Sequence, residues 1–108
     1  MILTTTDSVE GIPVGQYLGI VSGDTVLGTN IFSDLFASIR DIVGGRSASY
    51  EEKLQAAKDT ALAEMAARAK DLGADAVIGI DLDYHSIGGD NKTLLMVVAN
   101  GTAVKLAR

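Results

Sequence analysis

The sequence predicts an α+β domain: a two-layer unit with an antiparallel sheet, one long helix packed on it and an extra short helix. Three observations predict it. Leu54, Ala57, Ala61, Met65, Ala69 and Leu72 recur at helical spacing. Ala74 to Ser86 alternates like a strand, and Leu94 to Leu106 is apolar on both faces of a strand. Turn-rich residues separate these segments, and no linker, repeat or low-complexity stretch divides the chain, so residues 1–108 read as a single domain.

Met1 to Thr5 reads as a short strand. Asp7 to Gly15, with Gly11, Pro13 and Gly15, reads as a loop leading into a strand over Val14 to Leu27. Gly19 and Gly23 interrupt that strand. They mark a bulge or close backbone packing, or else Gly23-Asp24 divides the segment into a hairpin. Thr29 or Asn30 offers an N-cap for a short helix over Ile31 to Val43, which Gly44 ends. Ser49 and Glu52 have the spacing of a capping box ahead of the long helix, and Gly73 closes it. The alanine-rich stripe lets this helix lie close to a sheet.

In the next strand Ala76, Ile78, Ile80, Leu82 and Tyr84 are expected on one face, and Val77, Gly79, Asp81, Asp83 and His85 on the other. Gly88-Gly89-Asp90-Asn91 is a hairpin connection. The last strand puts Leu94, Met96, Val98, Val104 and Leu106 on one face and Leu95, Val97, Ala99 and Ala103 on the other. Such a strand must be covered on both sides. A chain this short has few elements for that, so a second subunit is the expected cover.

Composition narrows the function. The formal net charge is −5 and the pI about 4.6, with no Lys/Arg cluster, which disfavours nucleic acid and anionic membranes as partners. The absence of cysteine excludes disulfides, thiolate metal ligands and thiol catalysis. The N-terminal stretch lacks the basic and apolar regions of a signal peptide, and no apolar run reaches the roughly 20 residues that span a bilayer. A cytoplasmic protein is the expectation.

Three blocks carry a family resemblance. They are Gly28-Thr-Asn-Ile-Phe-Ser-Asp-Leu-Phe-Ala-Ser-Ile-Arg-Asp-Ile-Val-Gly-Gly-Arg-Ser47 with Tyr50-Glu51, Leu72-Gly-Ala-Asp-Ala-Val-Ile-Gly-Ile-Asp-Leu-Asp-Tyr84, and Gly101-Thr-Ala-Val104. Over nearly the whole chain they closely resemble the YbjQ-like family of small bacterial and archaeal proteins. That family is of unknown function and is sometimes labelled heavy-metal-binding. The resemblance implies a β-α-β-β unit similar to the dodecin subunit, and a ring-like homopentamer with extra short strands bridging subunits. Ser33, Lys58-Asp59 and His85 depart from residues common in the family.

Three groups of residues are candidate sites. Gly44, Gly45, Arg46 and Ser47 precede the long helix, where exposed amides and a guanidinium would grip a phosphate or carboxylate. Against this, the neighbouring Glu51 and Glu52 place negative charge where an anion would sit, and a tight helix-to-helix turn explains the glycines. Arg46 is therefore expected to be structural first. Asp81, Asp83 and His85 share a strand face and are weak candidates for a divalent metal. Their spacing of about 6.5–7 Å is wide for co-ligation, and one histidine without cysteine cannot build a soft site in one chain. Asn30, Asp34, Arg40 and Asp41, with Tyr50 and Glu51, would line a pocket or salt-bridge an interface. Tyr17, Tyr50 and Tyr84 read as packing residues with hydrogen-bonded hydroxyls.

No catalytic constellation is present: His85 is the sole imidazole and no serine sits in a nucleophile-elbow context. The reading is a non-enzymatic homo-oligomeric binding or scaffolding module with an unidentified small-molecule ligand and no cofactor. The alternative is a divalent-metal-binding protein using acidic residues and His85, and the third reading an enzyme with an inter-subunit site.

Overall fold

The computed structural model describes residues 1–27, 48–89 and 92–108. In chain order these form β1 (Ile2–Leu3), β2 (Val14–Leu27), α1 (Ala48–Asp71), β3 (Ala76–Gly89) and β4 (Lys92–Leu106). The predicted short helix lies outside the described residues. The strands make one four-stranded sheet in the order β1-β3-β4-β2. No described helix is long and apolar enough to cross a membrane.

The β2, β3 and β4 pairings are antiparallel, as expected, but β1 runs parallel to β3. The sheet is therefore mixed, which corrects the all-antiparallel expectation. Ile2 N–H donates to the Asp75 carbonyl and Thr4 N–H to that of Val77. A long connection leaves strand direction free, whereas a tight hairpin forces it. The direction of β1 thus leaves no local signature.

β2 is a single strand, not a hairpin broken at Gly23-Asp24. Its register shifts between Tyr17 and Gly19, the bulge that Gly19 suggested. α1 lies over β2 and β4 and buries Ala57, Ala61, Met65 and Ala69 against Val21, Leu27, Leu95, Val97, Ala99 and Ala103, with Leu54 and Leu62 at the margin. Leu72 follows the last helical residue and is half-exposed, so it falls outside the buried stripe, whereas Leu62 packs against the core. The helix begins at Ala48, one residue before the expected cap Ser49. It ends as the sequence indicates. Gly73 adopts φ 86°, its N–H donates to the Lys70 carbonyl at 2.9 Å, and Ala74 N–H reaches the Ala69 carbonyl at 3.1 Å. That pair of bonds is a Schellman motif.

β3 departs from simple alternation. Two residues, Gly79 and Ile80, stand opposite Gly101 where the register shifts, and Gly79 has φ 59°. This bulge moves the pattern by one residue. Val77 faces the helix before it, and Ile80 and Leu82 face the helix after it. Ala76 and Ile78 belong to a second cluster on the opposite face with Val104 and Leu106. The single face proposed for Ala76, Ile78, Ile80, Leu82 and Tyr84 is thus divided between two. The amides that the bulge frees find partners in the N-terminal segment: Gly79 N–H donates to the Thr6 carbonyl and Ile80 N–H to that of Thr4.

β4 has the two faces its sequence indicated. Leu95, Val97, Ala99 and Ala103 pack under the helix, and Val104 and Leu106 pack on the far side. Part of that far side is covered by the chain itself, because Val9, Ile12 and Val14 close over Val104 and Leu106. A second subunit is not needed at that end.

Candidate functional site

The sheet face away from α1 carries the acidic candidates. Register aligns Asp24 with Val98 and Asp83, and Ser22 with Asn100 and Asp81. A polar band therefore crosses the strands. Apolar residues flank it: Ile20, 84% exposed, on one side, and Val26, 50% exposed, with Met96, Leu94 and Ile87 on the other.

After the bulge, Asp81, Asp83 and His85 alternate onto this one face, as predicted. Asp81 and Asp83 are near enough in this arrangement for each carboxyl to influence the other's proton. The Asp81 carboxyl is raised above its ordinary value of 3.8 by the hydrogen-bonding influence of Asp83, by the Asp83 charge and by slight desolvation. His85 is exposed and does not join them: among the described residues no three His, Asp or Glu side chains converge as metal donors. The pair can share a proton or contribute to a hard cation. With one histidine and no cysteine in the chain, it does not fit a closed heavy-metal centre within one subunit.

Asn30, Asp34, Arg40, Asp41, Gly44, Gly45, Arg46 and Ser47 lie outside the described residues. Tyr50 and Glu51 fall in the first turn of α1. Two tyrosines are less buried than expected: Tyr17 is mostly exposed and Tyr84 is 50% exposed.

A second feature was missed by sequence reasoning. Because α1 sits over β2 and β4, the helix-side surface of distal β3 stays open as a groove. Glu51, Leu54, Gln55 and Lys58 of α1 and Tyr84 of β3 line it. The sequence signal was Lys58, whose neighbours three and four residues away are Leu54, Gln55, Ala61 and Leu62, none of them acidic.

A family model described as "Putative heavy-metal-binding" matches residues 1–107. Among solved structures, a protein of unknown function of the DUF74 family from Pediococcus pentosaceus ATCC 25745 is similar, with a TM-score of 0.67. It is 18% identical, and the alignment covers 99% of this chain and 98% of that one. At that identity the likeness establishes the fold.

Proposed function

This chain belongs to the YbjQ family, and from that premise we propose that it is a non-enzymatic homo-oligomeric module, a binding or scaffolding protein whose subunits join through the sheet face that α1 leaves open. The observation that carries the reading is the exposure of Ile20, Val26 and Ile87 on that face beside Leu94, on both sides of its polar band. Large exposed apolar side chains interleaved with polar groups suit a surface that meets another subunit. The radius of gyration, 17.0 Å, also exceeds the value of about 13 Å for a compact chain of this length. A protomer this extended gains burial by assembly. A ring of five dodecin-like subunits is the arrangement that the family resemblance implies.

Native mass spectrometry of untagged protein tests the reading. The expected mass is a defined multiple of 11.2 kDa, five-fold for the pentamer. Ile20→Asp should lower the subunit number without unfolding the chain. A wild-type protein that is monomeric at micromolar concentration would sink the reading.

The neighbouring Asp81 and Asp83 carboxyls and the family description favour a second reading, divalent-metal binding between subunits. Donors from more than one subunit would have to complete such a site. Titration with zinc is expected to give weak binding without fixed stoichiometry. Tight, saturable binding lost in His85→Ala would promote this reading over the first.

A further inference from the structure

We infer that the groove between α1 and distal β3 is a binding site for a small organic acid, with its anionic group on Lys58 and its apolar body against Leu54 and the Tyr84 ring. The groove is on the helix side of the sheet, so this inference does not rest on assembly through the opposite face.

Lys58 is the anchor. It lies in the middle of α1 and so has no helix end to neutralise. It is half-buried, yet it makes no hydrogen bond or ion pair with any described residue. The nearest acid in sequence, Asp59, accepts a hydrogen bond from Gln55 Nε2 at 3.0 Å. A partly desolvated ammonium without a counter-charge is set to receive an anion.

The rest of the groove selects among anions. Tyr84 adds an aromatic ring and a hydroxyl that has no partner among the described residues. Leu54, partly buried on the core, adds an apolar wall. Glu51 stands two turns before Lys58, about 10 Å away along the helix axis. An inorganic phosphate would leave the Leu54 wall and the Tyr84 ring uncovered, whereas an organic acid fills them. One cation, one hydroxyl and an apolar surface match a monocarboxylate with a ring or short hydrocarbon body.

Titration of the 108-residue chain into 4-fluorobenzoate, followed by 19F NMR, tests the proposal. Saturable binding is expected. Lys58→Gln should weaken it by about tenfold, the loss typical of one charge-assisted hydrogen bond. Lys58→Arg should retain it, and Lys53→Gln, on the same helix, should leave it unchanged. Tyr84→Ala, on a different element, should also weaken it and serves as an independent arm if Lys58→Gln disturbs the helix. Inorganic phosphate should compete poorly. Absence of saturable binding, binding indifferent to both Lys58→Gln and Tyr84→Ala, or displacement by phosphate at equal concentration would overturn the proposal.

Discussion

Gly23 of β2 lies directly under Ala61 of α1. A Cβ at Gly23 would meet the Ala61 carbonyl oxygen and stand 2.7 Å from the Met65 amide nitrogen. Helix and sheet touch there backbone to backbone, and this contact sets the depth at which α1 packs. Arg68 secures the same crossing by donating from Nη1 to the Ser22 carbonyl at 2.8 Å while pairing with Glu64.

Gly23→Ala should therefore destabilise the protein by about 3 kcal/mol, the upper part of the range for overpacking a tight core. The melting temperature should fall by roughly 10–20 °C. Ala61→Gly should not rescue it, because the atoms encountered are backbone. Rescue by that second change would show that side-chain volume, not helix height, sets the contact.

Thr25 faces the helix from β2 in register with Val97, and its buried Oγ1 has no hydrogen-bond partner among the described residues. A buried hydroxyl without a partner carries an uncompensated desolvation cost. Thr25→Val keeps the β-branched shape and removes the hydroxyl. It should stabilise by about 1 kcal/mol, raising the melting temperature by roughly 4–8 °C. An equal or lower melting temperature would mean that Oγ1 makes a bond in solution.

The raised Asp81 carboxyl gives a pH dependence of definite sign. An acid whose folded pKa is raised holds its proton more tightly in the native state. Its contribution to stability is then full below the unfolded value near 3.8 and is lost as pH rises through the folded value. At neutral pH the Asp81–Asp83 pair is a like-charge contact. Asp81→Asn should raise the melting temperature at pH 7, with the gain shrinking toward pH 3. A gain of equal size at both pH values would exclude charge repulsion as its cause.

Much of the fold was legible in the sequence because its signals are local. The end of α1 at Gly73 follows from glycine's access to positive φ, and the two faces of β4 follow from strict alternation. Register was less legible. The Gly79 bulge shifts β3 by one residue, so Ile78 and Ile80 end on opposite faces although they stand two apart in sequence. The acidic face was legible as a set of residues, but the mutual influence of the Asp81 and Asp83 carboxyls was not, since backbone spacing alone left them wide apart. The Lys58–Tyr84 groove joins residues of two elements, and only the lateral placement of α1 over β2 and β4 opens it.

By itself the sequence determined where α1, β3 and β4 lie, the Ala57, Ala61, Met65 and Ala69 stripe of α1, the two faces of β4, and which side chains alternate onto the acidic face, because periodicity and glycine stereochemistry act over a few residues. Only the tertiary structure decided that β1 runs parallel to β3, that Val9, Ile12 and Val14 cover one end of the far face, and that distal β3 remains open beside the helix. These outcomes depend on contacts between segments far apart in the chain, where competing packings differ in burial and hydrogen bonding but not in any local pattern.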